Sequence, residues 1–298
     1  MNMTPTKKPH EALAMNDQKR AITPVILAGG RGVRLRPITS NKRAKPFLKA
    51  GAKYSLFQQT LRRAAGLAPP IIVGRAEDEK RILDECAALN ITPLHIILEP
   101  SSRNTAPAIA VAALSLADEN SQLLVMPSDH AVPQTDNTHF TATIVNAANH
   151  QGFTVMGITP RKPSRQYGYI ISGAGGTAHS FTEKPAKRAA ASLMRDHNAL
   201  WHSGMFMAPA CEIIHAFKRH APDILGAAHF AIKAGKTRSN IIYPDAAEFV
   251  KSPAISIDYA ILEKQDNLRV QRLDIGWSDV GSISSFAAHT IKNWLNLR

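Results

Sequence analysis

Residues 27–48 read LAGGRGVRLRPITSNKRAKPFL, and the residue types there suit the binding of a polyphosphate. Gly29, Gly30 and Gly32 follow directly on the apolar Leu27 and Ala28. Glycine lets backbone N–H groups come close to a ligand, and fixed N–H dipoles with nearby cations favour phosphate oxygens. Arg31 and Arg34 punctuate the loop, and Lys45 follows it, ahead of Pro46. A plain strand-to-helix turn needs one glycine and no cations. Two common nucleotide loops are excluded. A Walker loop ends Gly-Lys-Ser/Thr where this one runs Gly32-Val33-Arg34, and the dinucleotide fingerprint starting at Gly30 would require glycine at Leu35. The segment is a phosphate cradle of a third kind.

Other side chains have the types to complete such a site. Asp129, between Ser128 and His130, suits a divalent ion, since Mg²⁺ takes one or two carboxylates plus phosphate oxygens; an Asx-turn or helix cap is the other reading. Asp279, inside the tight run 276–281 (GWSDVG), supplies a second metal carboxylate or caps the last helix. His130 reads as a packed or hydrogen-bonded residue rather than a ligand. Pro185 holds Lys184 outside the following helix, so its amine is free for an anion such as a sugar phosphate, or is simply solvated. Glu99-Pro100 and the run 103–107 (RNTAP) open an apolar helix; their Asn, Arg and free backbone amides either read a base edge or cap the helix.

The elements that must position these groups alternate. Strands are predicted over 24–28, 71–74, 94–99, 123–127 and 153–158, with helices over 54–65, 77–89, 104–116 and 138–149. Strands alternating with helices imply right-handed βαβ units, hence an α/β fold with a Rossmann-like, mixed but mostly parallel sheet flanked by helices. Ligands on such sheets lie beyond the carboxyl ends of the strands, where the glycine loop, Glu99 and Ser128-Asp129-His130 all fall. After about residue 160 the rhythm changes. Segments 167–172 and 178–183 alternate like an antiparallel pair, followed by a helix over 186–196, a strand over 204–208, helices to about 235, a strand over 268–273 and a closing helix over 282–297. Residues 1–21 read as a flexible extension. Residues 22–298 read as one domain, with a nucleotide-binding half over about 22–160 and a sugar-phosphate-binding half over about 161–298.

Charge and cysteine content narrow the function classes. Of the 298 residues, 36 are Lys or Arg and 23 are Asp or Glu, a net charge of +13. The excess sits in one place: residues 1–66 hold fourteen of the cations and two of the acids, Glu11 and Asp17. Arg31, Arg34, Arg36, Lys42, Arg43, Lys45, Lys49 and Lys53 crowd the glycine loop, with one aromatic residue, Phe47, among them and no run of rings for base stacking. A nucleic-acid binder would spread its cations along a face to meet many phosphates, so nucleic acid is not the expected partner. Lys7, Lys8, Lys19 and Arg20 in the leading segment read as solvated charge. Cys86 and Cys211 have no metal or CxxC spacing and read as reduced thiols. No stretch approaches the ~18 apolar residues of a membrane span and no apolar leader opens the chain, so a cytoplasmic protein is expected.

Taken together, the motifs resemble the sugar-1-phosphate nucleotidylyltransferases, and among them the mannose-1-phosphate guanylyltransferases. They run in family order from Pro24 to Gly281: PVILAGG-x-G-x-RL-x-P, KPFL, ILEP-x-x-RNTAPAIA-x-AAL, LLVMPSDH, YGYI, FTEKP, SGMF, SIDYAILEK and GWSDVGS. The resemblance implies that a phosphate oxygen of mannose 1-phosphate attacks the α-phosphorus of GTP, giving GDP-mannose and pyrophosphate with the help of Mg²⁺. By matching position, Arg34 would stabilise the phosphates and the leaving pyrophosphate, and Lys45 the α-phosphate, with Asp129 the third catalytic group. Leu27, Ala28, Gly29, Gly30, Gly32, Ser128 and Asp129 would wrap nucleotide, with Asn104, Thr105 and Ala106 beside guanine. Gly168, Glu183, Lys184, His202, Ser203 and Gly204 would hold the sugar phosphate, and Asp129 with Asp279 the metal. Relatives often form homodimers. The closing helix, with Trp294 and Leu295 near its end, is expected to pack on a second copy or on its own sheet.

The chain departs from the family pattern at four places. Val33 stands where threonine is common and Arg36 where tryptophan is usual. Lys45-Pro46-Phe47 replaces Lys-Gln-Phe, and His202 replaces the asparagine that contacts sugar hydroxyls. An imidazole offers one donor and one acceptor with a geometry unlike a carboxamide's. Another hexose or heptose 1-phosphate, or another NTP, therefore stays open, as does a catalytically weak regulator that binds nucleotide sugar. The chain ends at Arg298, where bifunctional relatives continue into a β-rich isomerase domain, so isomerase activity is not expected.

Overall fold

The computed structural model describes residues 21–40, 43–116, 121–195 and 198–296; the leading extension with Lys7, Lys8, Lys19 and Arg20, and Lys42, lie outside the described residues, as do the side chains of Trp294 and Leu295. Eleven strands form one sheet: β1 Ile22–Leu27, β2 Ile71–Arg75, β3 His95–Glu99, β4 Gln122–Pro127, β5 Thr154–Ile158, β6 Tyr169–Ser172, β7 Ala178–Thr182, β8 Ala199–Pro209, β9 Lys236–Arg238, β10 Ile241–Tyr243 and β11 Arg269–Arg272. The helices are α1 Leu56–Arg63, α2 Glu79–Ala87, α3 Thr105–Leu114, α4 Asn137–Ala147, α5 Lys187–Leu193, α6 Ala210–His220, α7 Pro222–Ala234, α8 Ala246–Phe249, α9 Ile257–Ala260 and α10 Ile283–Asn296.

Strand order along the sheet is β11-β5-β8-β4-β1-β2-β3-β10-β9, with β6 joining β8 to β7 at one side. The run from β4 through β1, β2 and β3 to β10 is parallel. β8 is antiparallel to β4, β5 and β6. The expected α/β architecture with a mixed, mostly parallel sheet is therefore present. Because β8 lies between β4 and β5, the two halves read from the sequence share one continuous sheet.

Alternation along the strands feeds a core on each face. Val25, Leu123, Val125 and Phe206 point to the face covered by α3, α6 and α7, where Ile109, Ile213, Phe217 and Ala228 close the layer. Ile26, Leu124 and Met126 point to the other face, packed by Phe57 and Leu61 of α1, Ile82 of α2 and Phe140 of α4. Period-two patterning is what a strand with two buried faces requires. In α3 every residue from Ala106 to Ala113 is buried; its alanines let the helix lie close to the sheet while α6 and α7 cover its far side.

Three expectations need correction. β8 runs over eleven residues rather than 204–208. Its first half is buried on both faces and shows no alternation, and Gly204, at φ +75°, reads from sequence as a boundary although the strand bends through it. The β9–β10 hairpin was not anticipated: β9 is a fully exposed Lys-Thr-Arg segment whose strand character comes only from pairing with β10, which itself pairs with β3. Within the described residues the closing helix meets its own chain away from the sheet: Asn293 Nδ2 donates to Ala50 O at 3.0 Å, and Phe286 packs against Leu56 of α1, Ala131 and Val280.

Phe206 is fully buried at the centre of β8 and packs in the larger core. Phe206→Ala is expected to destabilise the protein by about 3–5 kcal/mol, read as a lower urea midpoint at unchanged slope. A loss below about 1 kcal/mol would contradict the central position given to β8.

Candidate active site

The glycine loop leaves β1 at the carboxyl edge of the sheet. Ala28 N donates to Val73 O at 2.7 Å, and beyond that residue the ladder stops. Among the described residues, no protein acceptor takes the N–H of Gly29, Gly30, Arg31 or Gly32, so four successive amides are left for a ligand. Gly32 sits at φ +67°, and a methyl there would fall 2.6 Å from Lys45 Cβ. Glycine is thus required both by the turn and by the approach of Lys45. Thr39 Oγ1 closes the loop onto Gly32 O at 2.8 Å.

Lys45 is 4% exposed, in a 3₁₀ turn with Pro46 and Phe47. Its ammonium donates to Asp129 Oδ2 at 2.8 Å and to the Asp279 carbonyl. Lys45, Asp129 and Asp279, 84 and 234 residues from the lysine, thereby meet at one point. Burial pushes the Asp129 carboxyl up, but Lys45 and His130 outweigh it and hold the group at about 2. Arg34 stays exposed at the rim: Nη1 donates to Gln166 Oε1 at 3.4 Å, and Nη2 is 3.2 Å from where a methyl at Gly281 would lie.

Asp279 Oδ1 accepts from Tyr167 OH at 2.8 Å and from the Gly281 amide at 3.2 Å. The other carboxylate oxygen of Asp279, like Oδ1 of Asp129, is not part of these bonds. Two carboxylates are the hard oxygen donors that a divalent ion would take beside phosphate oxygens. Among the described residues no cluster of three or more acids, histidines or cysteines forms, so such an ion would draw its remaining ligands from phosphate oxygens and water. His130 is pinned edge-on by Trp277, whose indole N–H donates to Nδ1 at 3.3 Å. Burial pushes the imidazole down to about 4 against the pull of Asp129, leaving it neutral and packed, as the sequence reading had it.

A cavity of about 210 Å³ opens beside this point. Its walls bring together Leu27, Arg34, Thr105, Gly168, Glu183, Lys184, His202, Ser203, Gly204 and Asp279, all expected from sequence, and add Gln166, Tyr167, Asp258 and Trp277. A methyl at Gly168 would fall 2.6 Å from Glu183 Oε2 and displace the end of that side chain. Glu183 pairs with Lys184, and burial together with Asp258 pushes its carboxyl up. His202 N donates to Gly168 O at 2.8 Å, fixing the ring between Phe181 and Asp258. His202 Nε2 lies 3.1 Å from Asp258 Oδ1, yet neither ring nitrogen makes an aligned hydrogen bond within the described residues. Ser203 is fully buried, its hydroxyl donating to Met156 O at 2.7 Å, so it shapes β8 rather than offering a free hydroxyl.

The presumed base end differs more from expectation. Asn104 caps α3, its Oδ1 accepting from Thr105 N at 2.9 Å, and Ala106 N donates to Ile255 O at 3.2 Å. These two amides are not free to read a base, because the helix start and the 255–257 segment engage them. Ser128 Oγ is likewise turned inward, donating to Leu27 O at 2.7 Å. Glu99, which the sequence reading placed at the ligand edge without a role, carries an unsatisfied oxygen: it is 8% exposed, and Oε1 has no partner within the described residues. Its Oε2 is 3.0 Å from where a methyl on Gly29 would lie. Tyr167 and Asp258 were equally missed as individuals, though both stand inside motifs quoted for the resemblance, YGYI and SIDYAILEK.

Burial pushes the Glu99 carboxyl up from 4.5 to about 8. From pH 4.5 upward the unfolded chain releases a proton that the folded one keeps, so this group removes stability progressively until about pH 8. Glu99→Gln should therefore raise the unfolding temperature of the ligand-free protein little at pH 4.5 and increasingly toward pH 8. Parallel melting curves for the two proteins across that range would refute the assignment.

The sequence model of the family described as "Nucleotidyl transferase" matches residues 23–293. A protein of Sinorhizobium fredii named mannose-1-phosphate guanylyltransferase is 38% identical over 291 residues, covering 94% of this chain and 57% of that protein. The chain thus spans little more than half the length of that curated relative. Among solved structures, one named mannose-1-phosphate geranyltransferase from Thermus thermophilus superposes with TM-score 0.71 at 30% identity, covering 87% of this chain and 76% of that one. Another, named mannose-6-phosphate isomerase, from Helicobacter pylori, has TM-score 0.76 at 27% identity, covering 87% and 99%. With the free amides of the glycine loop, the buried lysine and the two acids all inside the matched span, the chain belongs to the nucleotidyl transferase family.

Proposed function

We propose that the chain transfers GMP from GTP to a sugar 1-phosphate, with mannose 1-phosphate the acceptor that the similarity to named guanylyltransferases favours. The observation that carries the nucleotide choice is Glu99. An unpaired buried acceptor costs about 1–3 kcal/mol. Guanine presents two adjacent donors, N1–H and the N2 amine, that Glu99 would accept together on giving up the proton that burial leaves on it at neutral pH. Adenine has a lone pair at N1 that the ionised carboxylate would repel. Glu99 lies against Gly29, so a base held by it would stand beside the amides proposed for its phosphates.

In the reaction a phosphate oxygen of the acceptor forms a bond to the α-phosphorus, and the bond from that phosphorus to the bridging oxygen breaks. Pyrophosphate leaves with the electron pair. The nucleophile is already an anion, so no side-chain base is required. What the site must supply is alignment and neutralisation of charge. The amides of residues 29–32 would hold the polyphosphate, Arg34 would meet the departing pyrophosphate at the rim, and Lys45 the α-phosphate from the floor. Mg²⁺, held by Asp129 and Asp279, would supply further neutralisation of phosphate charge. Glu183, Lys184 and Gly168 would seat the acceptor. An aldose–ketose isomerisation, suggested by one neighbour's name, makes no use of a polyphosphate cradle.

A second reading changes only the acceptor, and the His202–Asp258 pair favours it. A buried imidazole beside a carboxylate presents a different hydrogen-bond pattern to ring hydroxyls from a carboxamide. Pyrophosphate release should be measured with four NTPs against mannose 1-phosphate and other hexose and heptose 1-phosphates. Turnover is expected with GTP and mannose 1-phosphate. A better acceptor in the panel would establish the second reading, and GTP binding without turnover on any acceptor would show a regulator. Arg34→Ala and Asp129→Ala are each expected to lower kcat by about 100-fold or more with circular dichroism unchanged; wild-type rates in both would sink the mechanism.

A further inference from the structure

The segment 166–168 reaches Arg34, Asp279 and His202 through three successive residues. Gln166 accepts from Arg34 at 3.4 Å, the hydroxyl of Tyr167 donates to Asp279 Oδ1 at 2.8 Å, and the carbonyl of Gly168 accepts from His202 N at 2.8 Å. The Tyr167 ring is clamped edge-on by two tryptophans, Trp201 at 4.9 Å and Trp277 at 5.0 Å. Trp277 in turn donates to His130, the neighbour of Asp129. The phenol is therefore fixed in direction by packing, and its proton is aimed at the Asp279 carboxylate. That carboxylate stands on a turn where Val280 holds φ +47°, a conformation strained for a β-branched residue.

We propose that Tyr167 is a positioning residue for Asp279: its hydroxyl holds the carboxylate in the orientation that binds a divalent cation, and ties that orientation to the acceptor wall one residue away at Gly168. The inference rests on Asp279 being a metal ligand. Hydrogen-bonded partners of ligating carboxylates commonly affect metal affinity by about 10–100-fold. The tyrosine does not touch the reacting phosphorus and acts through the aspartate.

The test is a Mn²⁺ titration of the full chain without nucleotide, following the electron paramagnetic resonance signal of free Mn²⁺, for wild type, Tyr167→Phe and Asp279→Asn. Phenylalanine keeps the ring between the two tryptophans, so the thermal melt of Tyr167→Phe should stay near wild type. Its Mn²⁺ dissociation constant should rise about tenfold, and Asp279→Asn should weaken binding at least as much. A hydroxyl that merely filled space would leave the constant unmoved. Wild-type affinity in Tyr167→Phe beside weakened Asp279→Asn overturns the positioning role while sparing the metal assignment. Unchanged affinity in both variants overturns the metal assignment and this inference with it, leaving the nucleotidyl transfer reading to the pyrophosphate assay.

Discussion

The buried ammonium of Lys45 is the interaction on which the site depends. A charge removed from water is tolerated only with partners, and this one has the Asp129 carboxylate and the Asp279 carbonyl. The first lies at the end of a central strand and the second in the turn before the last helix. Holding both on one nitrogen draws the edge of β4 and the 276–281 turn together beneath the glycine loop. The absence of a side chain at Gly32 lets the loop descend onto the lysine. One pairing therefore sets the floor on which nucleotide phosphates and a metal would be assembled.

The sheet makes that convergence possible. β1, β2, β3 and β4 run parallel and end in register, so residues after each strand, from Ala28 to Ser128, arrive at one edge. β8 then crosses antiparallel beside β4 and carries His202, Ser203 and Gly204 past the same edge. The residues proposed for the acceptor and the glycine loop are thus supported by adjacent strands of one layer.

Much of this was legible in the chain. The alternation of apolar runs with amphipathic helices announced the mostly parallel sheet, and the three glycines with Arg34 and Lys45 suggested a phosphate cradle unlike the two common ones. What failed to show were features defined by partners. β9 has no strand pattern of its own and exists by pairing with β10. β8 lacks alternation because both its faces are buried, so its first half was hidden. Asn104, Ser128 and Ser203 carry the right chemistry for ligand contact, but their side chains are engaged by backbone groups.

Sequence alone determined the fold class and the kind of chemistry, because both follow from local properties: hydrophobic period, turn residues, and the types of charged side chain in a short window. The residue types of the opening loop pointed to polyphosphate without any knowledge of what surrounds them. Tertiary structure decided which charges meet and which are left unsatisfied. That Lys45 lies against Asp129, that Tyr167 is aimed at Asp279, and that Glu99 is buried beside Gly29 with an unpaired oxygen are properties of distance and desolvation. Such properties depend on residues far apart in the chain, so no window of sequence contains them.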